Sequence, residues 1–428
     1  MTSPAPTPAL PVSRRVMNLA GFLTQAARRF PDRLALAWGE RRWSWREMEA
    51  RSIALAAALA ARGIGKGDRI LVHAKNGNAI VETMFAAFRL GAVWVPTNFR
   101  LVPEEVAWLA QAAGARAFLC QAVFSAHAAA VAAAMPNIFL ASIDAAEFGD
   151  ASTETLIAEA RSCPMAVVER DDPCWFFFTS GTTGRPKAAV LTHGQMAFVV
   201  TNHLCDLMPG TTEADASLVV APLSHGAGIH LLTQVARGAA SILLPGERFD
   251  PAEAWRLVEE YRVSNMFTVP TILTMLVEHP AVAAHDHASL RHVIYAGAPM
   301  YREDQKRALA RLGPVIVQYF GLGEVTGNIT VLPAALHVAE DGPAARIGTC
   351  GFARTGMEIE IQDDAGAALP PGAQGEICVS GPAVFAGYHD NPEANAKAFR
   401  NGWFRTGDLG HLDAEGFLFI TGRASDMY

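Results

Sequence analysis

Helical and strand patterns alternate along most of this chain, and that alternation restricts its fold more than any other feature. Trp45 to Arg62 (WREMEARSIALAAALAAR) repeats apolar residues at helical spacing and stops at Gly63 and Gly65. Arg69 to Ala74 reads as a strand, Ala79 to Leu90 as a helix and Gly91 to Pro96 as another strand. The pattern returns in a helix around Ala252 to Tyr261 and strands at Met266 to Val269 and Val293 to Tyr295. Strands separated by helices pair in parallel and are covered by those helices, so an α/β fold is expected. After about Ile347 the texture changes. Short strands at Glu358–Gln362, Gly375–Ser380 and Phe417–Ile420 alternate with turns such as Asp364-Ala365-Gly366. The expected architecture is two packed, mostly parallel α/β subdomains over 14–346, with a small β-rich, barrel-like subdomain over 347–421. Residues 1–13, rich in Pro, Ser and Thr, read as a mobile tail.

With 428 residues, 51% of them hydrophobic, the chain is too long for one simple core and too apolar for disorder. A net charge of -7 with no basic block argues against a nucleic-acid partner. No stretch approaches the roughly 20 apolar residues of a membrane helix, so no transmembrane segment is expected. Six cysteines stand singly without CxxC spacing. They read as bystander thiols of a reducing compartment, and a cytoplasmic location is expected. Nothing in the sequence fixes an oligomeric state.

Trp175 to Phe178 (WFFF) should be a buried strand that delivers Thr179-Ser180-Gly181-Thr182-Thr183-Gly184-Arg185-Pro186-Lys187. Two glycines permit a tight turn with inward N–H groups, hydroxyls crowd round them, and a lysine closes the loop. Polyphosphate needs that density of donors and a cation. GxxxxGK[ST] does not fit, so this is no Walker A loop. The competing reading is an ordinary Ser/Thr/Gly surface loop, and the strand before it argues against that.

TSGTTGRPK resembles the signature loop of the adenylate-forming superfamily: acyl-CoA synthetases, luciferases and the adenylation domains of peptide synthetases. Further likenesses follow in chain order. They are Gly91 to Leu101 (GAVWVPTNFRL), Ala221 to His225 (APLSH), Gly297-Ala298-Pro299, Tyr319 to Glu324 (YFGLGE), Phe404 to Asp408 (FRTGD) and Gly422 to Asp426 (GRASD). The resemblance implies that a carboxylic acid attacks ATP to give an acyl-adenylate and pyrophosphate, and that coenzyme A then takes the acyl group. A fatty or an aromatic acid is expected. It assigns phosphate binding to Thr179–Gly184 and Lys187, with Lys187, Glu324 and His225 as catalytic residues and Glu324 as the Mg²⁺ ligand. Adenine falls to Gly297, Ala298, Pro299 and Gly321, with Tyr319 or Phe320 as the stacking ring. Asp408 and Arg423 take the ribose. His225, Gly226, Gly228 and Gly323 border the acyl pocket, where the small residues are expected to leave room for a bulky group.

Two departures stand out. Gly323 occupies a position where the family usually has threonine. APLSHGAG offers no aspartate for a substrate amine, which disfavours an amino acid. The resemblance makes 14–421 the large N-terminal domain and 422–428 the start of a hinge at Asp426, with the α+β C-terminal domain absent. Impaired catalysis is therefore expected of this chain. The alternatives are an acyl-AMP ligase delivering to a carrier protein and a non-catalytic nucleotide- or acyl-binding module.

Overall fold

The computed structural model describes residues 14–159, 162–179, 185–246, 248–342 and 345–424. The expected tail at 1–13, the loop residues Ser180, Gly181, Thr182, Thr183 and Gly184, and the hinge Asp426 lie outside them.

Local signals set the elements that carry the fold. Trp45–Ala61 begins with a capping box: Ser44 Oγ accepts from the Glu47 N–H, and the Glu47 carboxylate accepts from the Ser44 N–H at 2.7 Å. Asn78–Leu90 ends at Gly91, whose φ of 67° is left-handed and costs glycine little. Both helices sit where the apolar periodicity puts them.

Two sheets result. The first has seven strands. In it Val93–Pro96, Arg69–His73, Ala115–Gln121, Phe139–Ile143 and Ala151–Ser152 run parallel. Pro173–Thr179 joins Val93–Pro96 in parallel and turns back into Lys187–Thr192 as an antiparallel edge hairpin. The second sheet has fourteen strands. Its parallel part runs from Leu34–Trp38 through Ala240–Leu243, Ala216–Val219, Asn265–Thr268 and His292–Tyr295 to Ile316–Phe320. The β-rich segment expected after 347 is present and antiparallel. Its hydrogen bonding crosses residue 347 without a break, because Thr349–Ala353 pairs with Thr330–Leu332, which in turn pairs with Ile316–Phe320.

One buried cluster contains residues of both sheets, including Trp94, Leu119, Val219 and Leu243, together with the helices between them. At its centre Trp94 and Trp175 meet edge to face, with centroids 4.6 Å apart and no exposure. Burying an indole removes about 150–250 Å² from water, at most about 4–6 kcal/mol of transfer free energy each. This core fixes the strand that ends at Thr179 against the one that ends at Pro96. Parallel strands of both sheets thereby end on one side, where α/β folds bind ligands. All six cysteines are reduced, and burial pushes Cys120 and Cys350 up to about 12, so both are inert thiols. No helix among the described residues is long and apolar enough to cross a membrane.

Candidate active site

A cleft of about 510 Å³ opens at those strand ends. Thr179, Lys187, His225, Gly323, Glu324 and Arg423 line it together, although they lie far apart in sequence.

Glu324 sits in a single helical turn, Gly323–Val325, directly after the strand Ile316–Phe320. The turn closes through Thr326, at a φ of 50°, and is tied down by Asn328, whose amide donates to the Val325 and Thr326 carbonyls. The Glu324 carboxylate is 7% exposed, and two hydroxyls converge on its Oε1: Thr179 Oγ1 at 2.9 Å and Tyr388 Oη at 2.9 Å. Among the described residues nothing donates to Oε2. Carboxylate and phosphate oxygens are the ligands magnesium takes, so this oxygen fits the expected ion. No group of three or more His, Cys, Asp or Glu could hold a metal among the described residues, so a cation here would share its shell with phosphate.

Thr179 and Lys187 are register partners, the last residue of one hairpin strand facing the first of the other. The Lys187 ammonium lies 5.2 Å from the centre of the Tyr388 ring, a cation–π contact. Tyr388 arrives from a distant segment that pairs with the same strand. Ala189 bridges to Tyr388, Val190 N–H donates to the Gly387 carbonyl and His389 N–H to the Ala188 carbonyl. Asn395 then grips the Tyr388 backbone twice, accepting from its N–H at 2.6 Å and donating to its carbonyl at 2.9 Å. Burial, followed by the nearby Glu324 carboxylate, pushes the Tyr388 phenol far above its usual range, so it stays a donor.

His225, expected at the border of the acyl pocket, lines the cleft together with Gly323. Its Nδ1 is 2.8 Å from Ser224 Oγ, and its ring meets Phe177 edge to face at 5.6 Å. Burial lowers its pKa, so the imidazole is neutral at pH 7.

The expected roominess of the acyl glycines is corrected by their surroundings. A Cβ at Gly226 would stand 2.8 Å from Phe267, and one at Gly228 would stand 2.1 Å from the Leu223 carbonyl oxygen. Neither residue lines the cleft. Gly323 does, yet a Cβ there would meet Phe177 at 2.7 Å and the Thr179 methyl at 2.8 Å. These glycines allow close packing and leave no void.

The adenine assignment also changes in one respect. Tyr319 is 9% exposed, stacks on Phe267 at 5.9 Å and lies in a buried cluster, so it is a core ring. Phe320, next along the strand, is half-buried and is not among the residues that line the cleft. Gly321 has no room for a side chain because the Gly327 backbone would lie 2.3 Å from its Cβ. Gly297, Ala298 and Pro299 are exposed just after the strand His292–Tyr295. Asp408 and Arg423 are partners on adjacent strands, and Arg423 Nε donates to Asp408 Oδ1 at 2.9 Å. These two residues, expected at the ribose, thus pair with each other, with Arg423 at the cleft wall and Asp408 buried.

Sequence reasoning missed Tyr388 and Phe177. A glycine–tyrosine pair ahead of a capped helix (Asn391, Pro392–Ala398) was the available signal for Tyr388. Nothing in the sequence shows that it pairs with the strand after Lys187.

Comparison with known proteins follows the same outline. The profile of the family described as AMP-binding enzyme matches residues 23–389. A feruloyl-CoA synthase of Amycolatopsis sp is 35% identical over 96% of this chain and 80% of its own length. A long-chain-fatty-acid–CoA ligase of Mycobacterium tuberculosis is 31% identical over 90% of this chain and 74% of its own. Among solved structures, o-succinylbenzoate coenzyme A synthetase of Bacillus subtilis, in complex with ATP and magnesium ion, superposes with a TM-score of 0.82. It shares 27% identity over 95% of this chain and 80% of that one.

Proposed function

This chain belongs to the AMP-binding enzyme family, and from that premise we propose that it activates an aromatic carboxylic acid on ATP and passes the acyl group to coenzyme A. The observation that carries the reading is the buried Glu324 carboxylate, anchored through one oxygen beside the Lys187 cation. An acid oxygen attacks the α-phosphorus, a C–O–P linkage forms and pyrophosphate leaves. The thiol sulfur then attacks the acyl carbon and AMP departs.

Charge develops on phosphate oxygens in the first step, so positioned cations and donors lower its barrier. Lys187 and the loop from Thr179 supply them from this chain, and magnesium, when bound, neutralises phosphate charge. Glu324 would hold that ion. Phe320 and Gly297-Ala298-Pro299 would flank adenine, while Asp408 with Arg423 would take the ribose hydroxyls. His225, neutral, would border the acid carboxylate without repelling or trapping it.

The aromatic class is supported by the feruloyl-CoA synthase relative and by Phe177, Phe178 and Phe404 in the cleft wall. A fatty acid is the second reading, and the long-chain relative supports it. Acid-dependent ATP–pyrophosphate exchange across hydroxycinnamates, benzoate, octanoate, palmitate and acetate separates the two. Magnesium-dependent exchange strongest with an aromatic acid is expected. Exchange strongest with palmitate would transfer the assignment to fatty acids, and none with any acid would leave only a binding module.

A further inference from the structure

Lys187 and Glu324 carry opposite charge in one partly buried cleft, yet they do not pair. Lys187 makes no ion pair with any described residue, and the bonds to Glu324 come from neutral hydroxyls. Attraction between opposite unit charges grows as the local dielectric falls, so a cleft that keeps such a pair apart has to hold each member in place. A closed pair would offer neither its cation to phosphate nor its carboxylate to a metal.

One side chain stands between them. The Tyr388 hydroxyl ends on Glu324 Oε1, and its ring carries the Lys187 ammonium on its face. Its main chain is held by the two bonds with Asn395 and by the bridge to Ala189. Phe385 N–H donates to the Glu324 carbonyl at 2.8 Å, which ties the same segment to the turn that bears the carboxylate. Gly387 makes this approach possible at a φ of 118°, where a Cβ would meet Asn395 Oδ1 at 3.0 Å.

We propose that Tyr388 is a positioning residue that keeps these charges apart. Its hydroxyl, with that of Thr179, engages Glu324 Oε1 and reserves Oε2 for a divalent cation, while its ring seats Lys187 for phosphate. The role rests on the nucleotide site described above and adds a division of labour within it. The hydroxyl serves the metal, and the ring serves the phosphate.

That division is testable by binding alone. Titration calorimetry of the full chain with the α,β-methylene analogue of ATP, with and without Mg²⁺, gives two affinities for each variant. For Tyr388→Phe, which keeps the ring, affinity with Mg²⁺ falls about tenfold and affinity without it is unchanged. For Tyr388→Leu, both fall. Thr179→Val removes the other hydroxyl, and because Thr179 also begins the phosphate loop, affinity falls in both conditions but more with Mg²⁺ than without it, which preserves the test if the Tyr388 variants do not fold. Wild-type magnesium dependence in Tyr388→Phe, or in Thr179→Val if that variant must stand in, overturns the proposal. So does equal weakening with and without Mg²⁺. A wild-type chain that binds the analogue in neither condition would instead overturn the nucleotide site itself, and this role with it.

Discussion

At the Glu324 end of the cleft, position is set by hydrogen bonds: two hydroxyls on one carboxylate oxygen, and a tyrosine whose backbone is gripped from a neighbouring helix. At the His225 end it is set by contact. Gly226, Gly228 and Gly323 lie against Phe267, Leu223 and Phe177 with no space for a methyl group. The contrast teaches that one cleft can be built from two kinds of rigidity. Polar anchors hold charges that must meet a ligand, while close packing shapes a wall that only has to exclude. Substitutions should therefore harm chemistry at the first end and structure at the second.

The largest expected effect tests the first half of that contrast. Glu324→Gln keeps the shape and loses the charge, so acid-dependent pyrophosphate exchange should fall about 10²–10³-fold, or ~3–4 kcal/mol. The thermal midpoint should move little. A large drop in midpoint would mean that the carboxylate is mainly structural, and the contrast would fail there.

Next comes Gly228→Ala. Its Cβ would collide with a backbone carbonyl at 2.1 Å and with Trp175 at 3.0 Å, and a backbone atom cannot step aside cheaply. A loss of about 1–3 kcal/mol in denaturant-measured stability is expected. Gly226→Ala meets only the tip of the Phe267 ring and should cost less. Equal, negligible losses would show that the wall is loosely packed.

The same contrast explains what could be read in advance. Strand and helix order was legible because apolar period and glycine stops are local, as at Trp45–Ala61 and Gly91. Thr179, Lys187, Glu324, His225 and Arg423, noted from short motifs, do meet in one cleft. The glycines were misjudged for a physical reason: a missing side chain means room only when nothing else enters it, and Phe177, Phe267 and the Leu223 carbonyl do. Tyr319 was ambiguous because an aromatic on a strand reads alike in core and cleft. The place of Tyr388 in the cleft was not legible, because its partners lie on the strand after Lys187 and on Glu324, both remote in sequence.

A third substitution pair sharpens the boundary between the ends, where Gly323 touches both Phe177 and Thr179. Gly323→Ala alone should lower kcat/KM or stability by about 1–2 kcal/mol. In a Phe177→Ala background the added cost should fall by more than half, leaving the contact with the Thr179 methyl. That difference is a coupling energy of about 0.5–1 kcal/mol, readable from a double-mutant cycle. Strict additivity would mean that Phe177 does not occupy the volume Gly323 leaves.

The smallest effect concerns His225, whose neutrality is a consequence of packing at its end of the cleft. Burial holds its pKa below the ordinary 6.5, so on acidification the unfolded chain takes up this proton before the folded one. The stability it contributes is fully present above pH 6.5 and is lost as pH falls through the folded value, by at most about 1.4 kcal/mol per pH unit. His225→Gln cannot titrate. Between pH 7 and pH 5.5 the wild-type chain should therefore lose more stability than the variant, by no more than that slope allows. Parallel losses in the two proteins would mean that water reaches the imidazole freely, and the packed wall at the His225 end would then not be a dry one.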